Sequence, residues 1–86
     1  MSEENDIPIQ TSQLLSDLFG LDADDLTLQT TRDSIPAWDS LQHMNLVLDV
    51  ERQFQIRLSE EQVAAIESVG DLVTAISNSL DSQRQN

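Results

Sequence analysis

Ser40-Leu41-Gln42-His43-Met44-Asn45-Leu46-Val47-Leu48-Asp49-Val50-Glu51-Arg52-Gln53-Phe54 contains neither Gly nor Pro and repeats its apolar residues at helical spacing. A turn of about 100° per residue sorts them into two groups. Leu46, Val47, Val50 and Phe54 share one broad face, suited to a core, and His43 falls among them. Leu41, Met44 and Leu48 form a second stripe bordered by Glu51 and Arg52. A helix with a second stripe either docks on something else or is buried on both sides. Asp39 is available as the N-cap, which leaves Ser40 in the first turn beside that stripe. A phosphate esterified to the Ser40 oxygen there would face free N–H groups and the positive end of the helix dipole.

Upstream, Leu14, Leu15, Leu18 and Phe19 are spaced for a helix over about Ile7 to Phe19, with Gly20 placed to end it in the left-handed conformation. Its start is open: Asp6 caps a helix with Pro8 in its first turn, or Thr11 or Ser12 caps a shorter one. No period holds from Leu21 to Asp39, although Leu26, Leu28, Ile35 and Trp38 are expected to pack inward. A connection of that length is unusual in a compact domain. Downstream, Ser59-Glu60-Glu61-Gln62 reads as a capping box, predicting a short helix from Ser59 to about Glu67. Ser68, three residues before Asp71, opens another helix with Val69, Leu72, Val73, Ile76 and Leu80 on its apolar side. The polar run after Leu80 is expected to fray.

These elements predict an all-α domain: a small four-helix bundle, three longer helices and one short, with a long loop between helix 1 and helix 2. One domain spans residues 1–86, with a folded core over about 7–80 and flexible ends at 1–5 and 81–86. Leu, Ile, Val and Phe supply 25 of the 86 residues, enough for a small core despite the charge.

The net charge of −12, with no Lys and four Arg, argues against nucleic acid and anionic membranes as ligands and for partners with basic patches. There is no cysteine, which excludes disulfides, thiolate metal sites and a cysteine nucleophile. Any thiol chemistry has to come from an added group. Met1-Ser2-Glu3-Glu4-Asn5-Asp6 is acidic where a signal peptide has a basic flank, and no apolar run approaches a membrane span, so a cytoplasmic protein without membrane insertion is expected. Asp22, Asp24 and Asp33 fall at three positions of an EF-hand count, but Leu26 and Thr27 stand where a ligand and the turn glycine belong, so no metal site is assigned.

Asp39-Ser40-Leu41, then Leu46-Val47-Leu48, Glu51 and Phe54, and later Val69-Gly70-Asp71-Leu72, resemble the acyl carrier proteins. The likeness runs from about Ile7 to Leu80 and includes the 20-position interval from Gly20 to Ser40, where that family has a long first loop. The resemblance implies that Ser40 bears 4′-phosphopantetheine, installed from coenzyme A by a separate Mg²⁺-dependent phosphopantetheinyl transferase. The terminal thiol of that group carries acyl or aminoacyl groups as thioesters in fatty acid, polyketide or related biosynthesis.

On the same resemblance, Asp39 and Leu41 serve recognition by the transferase, and Leu41, Met44, Leu48 and Glu51 dock partner enzymes. These include an acyl- or aminoacyl-loading ligase or acyltransferase and downstream synthase enzymes with basic patches. The carrier is a monomer and not an enzyme, and one His without Lys or a metal cluster leaves nothing for covalent catalysis. Asn45 and Arg52 depart from the family, since central fatty acid carriers are usually acidic at both. That points to a discrete carrier of a dedicated pathway. Trp38 stands where the family more often has a small residue and reads as a loop anchor; His43 reads as a satisfied core histidine. The rival reading is an unmodified acidic helical adaptor for a basic protein.

Overall fold

The computed structural model describes residues 7–84. Four helices follow one another: α1 (Ile7–Phe19), α2 (Ser40–Phe54), α3 (Glu60–Ala65) and α4 (Val69–Arg84). As expected, three are long and one is short. α1 packs on α2 and α4, and α2 on α4. Leu15, Leu46, Val50, Ile66, Leu72 and Ile76 close the centre between them. No helix among the described residues is long and apolar enough to cross a membrane.

Each boundary has a local cause. α1 begins at Ile7, so Pro8 stands in its first turn and the shorter start at Thr11 or Ser12 is excluded; the suggested cap Asp6 lies outside the described residues. It ends at Gly20, whose φ of +69° lets the Leu21 N–H reach back to the Ser16 carbonyl at 3.1 Å. α2 ends on a left-handed residue that is not glycine: Gln55 sits at φ +57°, and the following Ile56 N–H reaches the Glu51 carbonyl at 3.2 Å. The capping box is present in full, with Ser59 and Gln62 exchanging side-chain and backbone hydrogen bonds. α3 nonetheless stops at Ala65, short of the expected Glu67, because Ile66 adopts extended backbone on the way into α4. α4 runs past Leu80 to Arg84, beyond the point where fraying is expected from the polar sequence.

The long connection from Leu21 to Asp39 is two 3₁₀ turns, Ala23–Asp25 and Arg32–Ser34, laced onto the junction between α3 and α4. The Arg32 N–H donates to the Glu67 carbonyl, the Val69 N–H to Thr30 and the Gly70 N–H to Leu28, at 2.8–2.9 Å. Thr31 and Ser68 form an isolated antiparallel bridge among them. This lacing lets so long a segment without a periodic pattern hold one conformation. Ile35 and Trp38 are buried as expected and Leu26 packs partly against the core, but Leu28 does not turn inward and is 52% exposed. Its carbonyl, not its side chain, is what the fold uses.

Gly70 is the tightest point of the lacing. A Cβ there would stand 2.8 Å from the Leu28 carbonyl oxygen, a backbone atom that cannot swing aside without breaking the Gly70 N–H bond to it. Gly70→Ala is expected to cost about 1–3 kcal/mol through this crowding. In a chain of this size each kcal/mol lowers the melting temperature by about 4–8 °C. A melt of Gly70→Ala overlapping the parent's would show that the loop yields freely.

Candidate functional site

The first turn of α2 emerges from the loop at Trp38-Asp39-Ser40. Asp39 is the N-cap: its backbone is extended, its Oδ1 accepts the Gln42 N–H at 2.9 Å and its carbonyl accepts the His43 N–H at 2.8 Å. Capping therefore falls to the aspartate, and Ser40 is left as the first helical residue, exposed, with an Oγ that has no partner among the described residues. The backbone N–H groups of Ser40 and Leu41 belong to the helix start, where the intrahelical ladder has no acceptor for them.

Beside Ser40, Leu41 is 73% exposed and Met44 and Leu48 about half. The second stripe thus faces outward and is not packed beneath the loop. Glu51 at its border is only half-buried in the same surface, because its carboxylate is drawn to the turn after α2 and accepts the Leu58 N–H at 2.8 Å. Asn45 is bonded to Gln42 at 2.8 Å, and Arg52 lies 3.8 Å from Asp49. Along this side of α2 a cation stands next to one carboxylate while another is held by backbone, so the stripe is apolar with little free negative charge.

Behind Ser40 runs a buried polar chain that the sequence does not announce as a unit. The indole N–H of Trp38 donates to His43 Nδ1 at 2.9 Å, and His43 Nε2 lies 3.0 Å from the Val63 carbonyl of α3. An indole nitrogen can only donate and a carbonyl can only accept. Nδ1 is therefore the bare nitrogen, and Nε2 carries the proton given to Val63. Both rings are more than nine-tenths buried, and Phe19 of α1 lies against Trp38 with ring centroids 5.7 Å apart. Trp38 anchors the loop, His43 is satisfied in the core, and together they tie the first turn of α2 to α3. The separation of five residues across a helix start was the available signal.

A cleft of about 500 Å³ opens next to Trp38, with Arg32, Asp33 and Glu67 on its wall. Asp71, also on the wall, is occupied: its Oδ2 accepts the Glu67 N–H at 3.0 Å and its N–H donates to Ser68 Oγ at 3.1 Å. Asp22, Asp24 and Asp33 do not gather: Asp22 caps the first 3₁₀ turn, Asp33 lies within the second, and no group of three potential metal ligands occurs among the described residues.

Residues 10–76 match the family model described as a phosphopantetheine attachment site. Among curated proteins, the chain is 31% identical over 71 residues to an acyl carrier protein of Exiguobacterium sibiricum, covering 81% of this chain and 89% of that one. It is 27% identical over 67 residues to an acyl carrier protein of Clostridium acetobutylicum, covering 78% and 87% respectively. The fold is similar to the solution structure of a holo acyl carrier protein from Geobacter metallireducens, with a TM-score of 0.83 and 27% identity over 94% of this chain and 93% of the other.

Proposed function

This chain belongs to the acyl carrier protein family, and on that premise we propose that Ser40 is the residue to which its 4′-phosphopantetheine is attached. A member of this family is a carrier and not an enzyme, and the prosthetic group is covalent. What supports Ser40 is that, among the described residues, it alone opens a long helix with an exposed hydroxyl whose capping duty a neighbour performs. The residues fit the group: a phosphodiester on that oxygen would lie at the α2 N-terminus, where the Ser40 and Leu41 N–H groups have no acceptor in the ladder.

In the attachment step the Ser40 oxygen forms a bond to the phosphorus next to pantetheine in coenzyme A. The pyrophosphate link breaks, adenosine bisphosphate leaves, and the hydroxyl proton passes to a base of the transferase. Asp39 keeps the first turn formed while this happens. When bound, the group supplies a thiol that holds acyl or aminoacyl cargo as a thioester, the chemistry that a chain without cysteine cannot supply.

Transferase recognition at Asp39 and Leu41 and partner docking on Leu41, Met44, Leu48 and Glu51 complete the reading. Glu51 contributes as a border, since its carboxylate already serves the turn after α2. Met44→Glu with Leu48→Glu leaves the exposed stripe charged and the core untouched. The expected result is an unchanged melt and a loss of about tenfold in kcat/KM for modification or loading, the scale of one interface anchor. Equal kcat/KM would remove the stripe from the docking surface.

Asn45 and the Arg52–Asp49 pair dilute the negative charge that basic partners of central fatty acid synthesis would meet, which supports service in a dedicated pathway, by a cytoplasmic monomer. That assignment fails if fatty acid synthase enzymes elongate chains on this carrier as well as on their own.

A further inference from the structure

Among the described residues, the large apolar side chains left exposed fall in two places. Leu41, Met44 and Leu48 lie on α2, and the remaining two, Ile9 and Leu28, are 58% and 52% exposed on either side of a cleft of about 380 Å³. Pro8, Ile9, Ser12 and Gln13 of α1 line one side, Ala23, Asp24, Leu26, Thr27 and Leu28 of the loop the other, with Val69 between them. No residue of α2 lines it. The function proposed above makes no use of this surface, and nothing in packing requires Ile9 and Leu28 to stand in water.

From the cleft and its charge we infer a second docking face, built to seat a cationic amphipathic segment of a partner protein. Charge selects the occupant. Residues 1–31 hold seven acidic side chains and no Lys, Arg or His. Asp24 lines the cleft, and Asp22 and Asp25 flank it, exposed, on the same 3₁₀ turn. A cleft with apolar side chains at Ile9, Leu26 and Leu28, polar ones at Ser12, Gln13 and Thr27, and an anionic rim complements a helix with aliphatic residues on one side and Lys or Arg beside them. A second copy of this chain is a poor occupant, because two molecules of charge −12 repel. Anionic lipid is repelled likewise. The chain's own first residues are acidic apart from Met1, Ser2 and Asn5 and complement the rim no better.

The placement has a consequence for a carrier. A partner seated between α1 and the loop leaves Ser40 and the α2 stripe open, so a second protein can work on the arm while the first holds the molecule.

The test uses the full chain, ¹⁵N-labelled and carrying Leu41→Asp, Met44→Asp and Leu48→Asp, so that the α2 stripe takes no part. The probe is a synthetic amphipathic helix of Leu and Lys, with a scrambled peptide of equal composition as control. The expected result is amide shifts centred on Ile9, Ser12 and Leu28. Binding should weaken about tenfold or more on adding Ile9→Asp and Leu28→Asp, and by a similar factor for the scrambled peptide. Ile9→Ser with Leu28→Ser gives the same readout should the aspartates disturb folding. Four results would overturn the inference: no binding in the α2-silenced chain, affinity indifferent to both pairs of cleft variants, equal affinity for the scrambled peptide, or contacts placing residues 1–6 or a second copy in the cleft.

Discussion

Ser40→Ala is expected to abolish the mass gain of one phosphopantetheine when the chain is co-expressed with a phosphopantetheinyl transferase, and to do so without loosening the fold. The two halves of this result follow from different atoms. On the function proposed here the Ser40 oxygen is the acceptor of the transferred group, and no neighbouring hydroxyl stands in the first turn of α2 to replace it. That same oxygen is exposed and bonds to nothing among the described residues, so its loss should change stability by less than about 0.5 kcal/mol.

Asp39→Ala supplies the contrast. It removes the cap on the Gln42 N–H and should cost about 1 kcal/mol while leaving the acceptor oxygen in place. Intact mass and thermal melts on both variants separate attachment from capping. A parent protein that stays folded yet refuses modification, with a basic partner retained by Ser40→Ala in a pull-down, would replace the carrier with an unmodified adaptor.

His43→Leu is expected to destabilise strongly despite putting an aliphatic side chain of similar bulk into a buried position. Two polar groups lose their partners together: the Trp38 indole N–H and the Val63 carbonyl. A buried group left unpaired costs about 1–3 kcal/mol, so the pair gives a loss on the order of 2–6 kcal/mol, a large share of what a domain of this size has in reserve.

Trp38→Phe removes the donor instead of the acceptor, and the double variant tests whether the two act as one unit. A coupling of about 0.5–3 kcal/mol is the expected range for residues in direct contact. Because Trp38 is the only tryptophan, its emission reports the same event from inside the chain. His43→Leu melting with the parent would mean that water satisfies both groups and that the histidine holds nothing together.

What the sequence reveals is uneven, and the unevenness has physical causes. α2 is legible end to end, since fifteen residues without a breaker repeat one period and an aspartate precedes them. The capping box at Ser59 and the stop at Gly20 are legible because they depend on residues close in sequence. The stripe of Leu41, Met44 and Leu48 follows from angle alone, but angle leaves open whether it faces water or is buried, and only the fold turns it outward. The loop is not legible in this way: its order comes from backbone bonds to residues 67–70, and backbone groups leave no mark on residue choice except at Gly70. Leu28 is misjudged for the same reason, as hydrophobicity suggests burial while the chain needs only its carbonyl. Trp38 and His43 each read correctly as buried, but their pairing joins a loop to a helix face, which no periodicity encodes.

The bonds that lace the loop to residues 67–70 also set an order of events during synthesis. Leu28, Thr30 and Arg32, upstream of Ser40, are fastened to a stretch made 35 to 42 residues after them. Until that stretch has left the ribosome, the loop ahead of Ser40 lacks these bonds, while the Asp39 cap on the Gln42 N–H needs only residues already made. The loop therefore reaches its final fastening only once residues 67–70 are available, later than the α2 start beside it can form.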